Sequence, residues 1–112
     1  MRYAVPLSNG VLSTHFGHCE QFALVDVDPE TKQVTGVTRA APPAHEPGAL
    51  PAWVSRNRAN GIIAGGMGRR AQDLFAQSGI QVVIGAYEAP PEQLVAAYLD
   101  GTLTSGQNIC DH

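Results

Sequence analysis

Charge and cysteine are both scarce in this 112-residue chain: 15% of its residues are charged, and Cys19 and Cys110 are its two cysteines. With 7 basic against 10 acidic side chains and a formal net charge of -3, it lacks the electrostatic footprint for wrapping a phosphate backbone. Nucleic acid is therefore not an expected partner. Two cysteines in a reducing compartment are more readily ligands, redox groups or core residues than a structural disulfide. No apolar run approaches the roughly 20 residues that a membrane-spanning helix needs. The opening Met-Arg-Tyr-Ala-Val-Pro has no signal-peptide core either, so no membrane is expected and the expected compartment is the cytoplasm. Glycine (12) and proline (8) are plentiful in a chain that is 44% hydrophobic, which describes one compact domain with many tight loops.

Hydrophobic spacing predicts the elements. Residues 2 to 7 read as a first strand, with Pro6 weakening its end because proline cannot donate to a sheet ladder, and a Gly/Ser/Asn-rich loop follows. Phe22 to Asp28 alternates and so does Val34 to Thr38, which makes these two strands a hairpin around Pro29-Glu30-Thr31-Lys32. The period then changes. Leu50, Trp53, Val54 and Asn57 share one helix face, Gly61 to Ala64 is a short buried strand, and Met67, Ala71, Leu74, Phe75 and Ser78 define a second helix ended by Gly79. Ile80 to Ile84 is a further buried strand, and Pro90-Pro91 opens a third helix that Gly101 closes. The order β-β-β-α-β-α-β-α predicts a single α/β domain over residues 1–101, one mixed sheet covered by helices, and a polar tail over 102–112 that carries Cys110 and His112.

Running strands one, three, four and five in one direction sends the loops 8–19, 40–48, 65–68 and 85–90 to the same edge of the sheet, where open α/β sheets place ligands. That edge collects His15, His18, Cys19 and His45, and an 11-residue tail reaching about 36 Å can bring Cys110 and His112 to it. Thiolates with imidazoles suit transition metals and iron-sulfur clusters rather than magnesium or calcium, although these spacings match no standard zinc pattern. Each ligand also has a bland reading: a buried cysteine before a strand, a solvated loop histidine at His45, a frayed terminus. Asp26 and Asp28 could suggest a two-metal nuclease pair, but alternate positions at a strand end more often face solvent. Gly65-Gly66-Met67-Gly68-Arg69-Arg70 joins a strand to a helix N-terminus, so its amides can converge on an anion; the bland reading is a tight turn that needs glycine. It is neither a dinucleotide fingerprint nor a Walker loop.

These segments resemble the dinitrogenase iron-molybdenum cofactor biosynthesis family, which includes NifX-like carriers and the C-terminal part of NifB-type proteins. The similarity rests on Ser13-Thr14-His15-Phe16-Gly17-His18-Cys19-Glu20-Gln21-Phe22, on Glu46-Pro47-Gly48-Ala49-Leu50-Pro51, on residues 62–72, and on Gly106-Gln107-Asn108-Ile109-Cys110-Asp111-His112. The resemblance implies a ribonuclease-H-like three-layer α/β/α fold with a mixed five-stranded sheet of order 3-2-1-4-5. It also implies binding, storage or delivery of a metal-sulfur cluster, of iron-sulfur or molybdenum-iron type, with His15, His18, Cys19, Cys110 and His112 as candidate metal ligands. A single transition metal ion is the lesser version of the same cargo. The missing acidic cluster means that nuclease activity does not come with the fold.

The leading expectation is a non-catalytic carrier in which thiolates and imidazoles hold the metal while Gly65, Gly66, Met67 and Gly68 amides and Arg69 neutralise an anionic cluster. Its partners would be a client apo-protein or a cluster-assembly protein. A small regulatory or scaffold domain that binds an anionic metabolite or a partner protein at the same rim is the alternative. An enzyme is not expected, since adjacent His18 and Cys19 rarely aim at each other and no orienting carboxylate is identifiable. Either edge strand, three or five, leaves a row of unpaired amides through which a homodimer could form.

Overall fold

Alternate side chains of Arg2–Ser8 (β1) enter opposite halves of the core: Tyr3, Val5 and Leu7 on one face, Ala4 on the other. The computed structural model describes residues 1–13, 20–41 and 49–101. Within them β1 joins Val11–Leu12 (β2), Gln21–Val27 (β3), Val34–Ala40 (β4), Gly61–Ile63 (β5) and Gln81–Val83 (β6) in a mixed six-stranded sheet. The order is β4-β3-β1-β5-β6, with β2 paired to β1. β1, β3 and β4 form the antiparallel half, and β1, β5 and β6 run parallel.

Three helices cover the two faces. Ala49–Arg56 (α1) and Arg69–Gln77 (α2) send Leu50, Trp53, Val54, Ala71 and Phe75 onto Ala4, Phe22, Leu24 and Ile62. Pro91–Asp100 (α3) sends Leu94, Val95, Tyr98 and Leu99 onto Tyr3, Val5, Leu7, Val25 and Val27. Aromatic contacts mark each layer, Phe22 with Trp53 at 5.4 Å and Tyr3 edge-on to Tyr98 at 5.6 Å. The αL conformation at Gly101 (φ 75°) closes α3, and Gly79 (φ +76°) follows α2, as the sequence requires.

Two expectations need correction. The sheet has six strands rather than five, because Asn9 (φ 55°) and Gly10 (φ 82°) turn the chain back so that Leu12 pairs with Leu7 and Val11 with Ser8. Positive φ at both central residues is the hairpin turn that Asn-Gly favours. β1 also runs through Pro6 instead of weakening there. Leu7 pairs with Gln21 of β3 and also with Leu12, so β2 occupies the β5 side of β1, just beyond the last β1–β5 pair, Ala4 with Ile62. Pro6 sits where β1 changes partner from β5 to β2, and its carbonyl accepts from Ser13 N at 2.9 Å on that side. The missing N–H therefore falls in the gap between the two ladders.

At the opposite end of the sheet Arg2 acts as a clasp. Its Nε donates to Asp26 Oδ1 at 2.7 Å and its Nη1 to the Asn57 carbonyl at 2.7 Å, while its amide donates to Asn60 Oδ1. Asp28 Oδ1 accepts from the amides of Glu30 and Thr31 in the β3–β4 turn. Both aspartates thus have structural partners, far from the loops that follow β5 and β6.

Two tests follow from this packing. A Cβ at Gly61 would lie 3.1 Å from the Gln81 carbonyl oxygen and 3.1 Å from the Tyr3 ring, one fixed by the β5–β6 ladder and the other wedged against Tyr98. Gly61→Val should therefore lower stability by about 1–3 kcal/mol in urea unfolding. Burial first, and then the neighbouring Tyr98, push the Tyr3 phenol above its ordinary value of 10.0. The folded chain keeps a proton that the unfolded chain releases, so this contribution is complete below about pH 10 and declines as pH rises beyond it. Tyr3→Phe should flatten that alkaline decline in unfolding curves measured from pH 8 to pH 11.

Candidate functional site

Parallel strands β5 and β6 end side by side, and the loops that leave them are tied together. Gly85 N donates to the Gly65 carbonyl at 2.9 Å, Ala86 N to the Ala64 carbonyl at 3.2 Å, and Leu12 N to the Ala89 carbonyl at 3.0 Å. Gly85 makes this approach at φ 81°, a conformation that favours glycine. The result is a backbone-linked floor at one edge of the sheet, running from the 85–89 loop to β2 on one side and to the Gly65–Gly68 loop on the other.

Gly65, Gly66 and Met67 are buried in this floor, whereas Gly68, Arg69 and Arg70 are exposed. Met67 turns its side chain into the cluster under α1 and α2, so what it offers to the rim is packing from below. Gln72 holds the turn twice: its backbone N donates to the Gly68 carbonyl at 3.1 Å and its Nε2 to the Met67 carbonyl at 2.8 Å. Neither Gln72 nor Gly85 stands out by periodicity. The available signal for Gly85 was its place directly after the expected strand Ile80 to Ile84; the observed β6 is shorter and half-buried.

The N-terminus of α2 is electrostatically unusual. Gly68 is its N-cap, no side chain caps it, its first turn holds no acidic residue, and that turn opens with Arg69 and Arg70. Neither arginine has an ion-pair partner among the described residues. Positive side chains beside the positive end of a helix dipole are mutually unfavourable, and an anion placed there would relieve both. Gly68 has φ -63° and nothing within 4 Å of an added Cβ, and Gly65 and Gly66 are absent from the positive-φ residues. Backbone strain therefore does not explain this run of glycines. Gly65 and Gly66 are buried, and Gly68 opens to solvent at the start of α2.

Beside this floor, Leu7, Asn9, Gly10, Glu20 and Gln21 line an open recess of about 390 Å³. Glu20 is committed there, accepting from Asn9 N at 2.8 Å, and its own amide donates to the Leu7 carbonyl. His15, His18, Cys19, His45, Cys110 and His112 lie outside the described residues, as does the 102–112 tail. Their neighbours Ser13, Glu20 and Ala41 are at the same edge: Ser13 faces Pro6, Glu20 faces Leu7, and Ala41 follows the last residue of β4. Among the described residues no three His, Cys, Asp or Glu side chains gather as a metal site.

A family model described as dinitrogenase iron-molybdenum cofactor matches residues 1–101. The chain belongs to this family. Cys110 and His112 lie beyond the matched span. The protein MJ0580 of Methanocaldococcus jannaschii is 32% identical over 107 residues, covering 92% of this chain and 89% of the relative. The crystal structure of PH0822 is 31% identical and superposes with a TM-score of 0.82 over 94% of each chain. The apo form of the orange protein from Desulfovibrio gigas shares the fold at 21% identity, with a TM-score of 0.71 over 96% of this chain and 93% of that one.

For this family member the floor yields a direct test of what its outermost glycine does. Gly68→Val should fold, with stability in thermal or urea unfolding changed by no more than about 1 kcal/mol, because its φ and surroundings accommodate a side chain. An anionic probe that binds at the start of α2 should bind the variant more weakly, since the branched side chain would stand over the amides there.

Proposed function

We propose that this protein is a non-catalytic, cytoplasmic carrier that binds a metal-sulfur cluster at the rim, for storage or for delivery to a client apo-protein or cluster-assembly protein. The observation that carries the reading is the start of α2: a glycine-rich turn held by backbone hydrogen bonds, a helix N-terminus with no side-chain cap, and two arginines without an ion-pair partner among the described residues. Sulfide-bridged iron and molybdenum-iron assemblies are anionic, and amide N–H groups and guanidinium groups neutralise such charge and hydrogen-bond to sulfide. Family membership supports the cargo class, since the family is described by the iron-molybdenum cofactor. The candidate metal ligands are His15, His18, Cys19, Cys110 and His112, whose thiolate and imidazole donors suit such metals. A ribonuclease-H-like description of the fold is supported by an antiparallel half leading into parallel strands with helices on both faces.

The same cationic turn would also receive an anionic metabolite, so the test must separate charge from metal chemistry. Protein purified without oxygen and titrated with tetrathiomolybdate, or reconstituted with iron and sulfide, should develop charge-transfer absorption and retain metal through gel filtration. Arg69→Ala should weaken tetrathiomolybdate binding about two- to fivefold at low ionic strength, and that difference should shrink near 0.5 M salt because the guanidinium is exposed. A colourless protein that retains no metal, with inorganic phosphate bound instead, would overturn the carrier reading in favour of a metabolite-binding domain.

A further inference from the structure

The two edges of the sheet are unlike. β6 closes one of them with three residues, and a very short edge strand is one way in which proteins keep an edge from pairing with another chain. β4 closes the other with seven residues, Val34–Ala40, every one of them exposed or half-buried. No strand pairs with its outer side among the described residues. It contains no proline and one charged side chain, Arg39, and the irregularity in its ladder lies at the Val34 end. At its centre Val37 is 39% exposed, one of three large apolar side chains so exposed among the described residues.

We propose that β4 is the interface with a second copy of this chain, the two strands pairing antiparallel about a two-fold axis at Val37. In that register Val37 meets Val37 of the second copy, Gly36 meets Thr38, and Arg39 comes opposite the Thr35 end, so no like charges are opposed. The two Arg39 side chains stand four residues apart along the strands, about 14 Å, beyond the ~8 Å screening length at physiological salt. The apolar layer also continues across the axis. Val37 pairs with Val25, and Val25 belongs to the cluster beneath α3, so Val37 points to the α3 face and its symmetry mate extends that same cluster. A two-fold perpendicular to the sheet keeps both α3 helices on one side of a continuous sheet. The Gly65–Gly68 loop follows β5, on the far side of β1 and β3 from β4. Pairing at β4 therefore leaves both rims open and pointing in opposite directions. Pairing at β4 is independent of the cargo, because it involves only the edge strand.

Sedimentation velocity of the full chain from about 1 to 200 µM should show a reversible dimer, with amides of residues 36–39 gaining protection from hydrogen exchange as concentration rises. Val37→Lys and Val37→Glu each place like charges within about 5 Å across the axis. Each variant alone should sediment as a monomer, with the dissociation constant raised at least tenfold and the circular dichroism of the parent retained. An equimolar mixture of the two should recover the dimer. A parent that stays monomeric over the whole range would overturn the proposal and leave β4 as an edge for a strand from another protein. Variants that dimerise as the parent does would also overturn it, as would a mixture that stays monomeric.

Discussion

Everything in this fold hangs on β1, a strand buried on both faces and paired on both sides. Its seven residues pair antiparallel with β3 along nearly their full length, and on the other side they pair first with β5 and then with β2. A slip of one residue would exchange Tyr3, Val5 and Leu7 for Ala4 and Pro6 under α3, and would present three large side chains to α1 and α2. The register is thereby set by volume. Pro6 adds a second constraint, since a residue without an N–H fits only where neither β5 nor β2 asks for a donor, and that position fixes where one partner ends and the other begins.

The rim is a consequence of that hand-over. Because β5 pairs with only Tyr3 and Ala4, the upper part of β1 has a free side, which the β1–β2 hairpin fills; β2 then reaches the loop after β6 through Leu12 and Ala89. The loops after β5 and β6 are joined through Gly65 and Gly85. Three loops distant in sequence thus share backbone hydrogen bonds, and the floor beneath the candidate site is built from main chain rather than from side chains. Buried polar backbone must be paired, and here that pairing also determines the shape.

Much of this was legible from the chain. The period-2 stretches at Phe22–Asp28 and Val34–Thr38 became β3 and β4, and the 3.6 spacing of Leu50, Trp53 and Val54 became α1. Gly79 and Gly101 ended helices because only a residue without Cβ reaches positive φ cheaply. The unread part has a common physical cause. β2 is a two-residue strand, too short for any period, and its only mark was Asn9-Gly10. Gly85 and Gln72 matter through long-range or local backbone contacts that leave no hydrophobic pattern, and Met67 counted as a rim residue although its side chain completes the core beneath. The cysteines and histidines were singled out by donor chemistry and loop position, and they lie outside the described residues.

If the rim holds a cargo, as proposed, a floor made of tied backbone keeps one shape beneath it, and selectivity has to come from the groups that project from that floor. Among the described residues those groups are Arg69 and Arg70 as exposed cations, the amides at the start of α2 as fixed donors, and the exposed Tyr87 and Glu88 of the loop after β6. On the proposed reading the arginines and amides would receive negative charge without grading size, because exposed guanidinium groups follow an anion of almost any outline while the amides hold its nearest atoms. On that reading, charge is sensed by the described floor and the identity of the metal is left to soft thiolate and imidazole donors. Separating the two tasks would let a cluster bind by electrostatics before any ligand exchange at its metal atoms. Release to a client would then require only that the client supply better ligands, with the folded floor left unchanged.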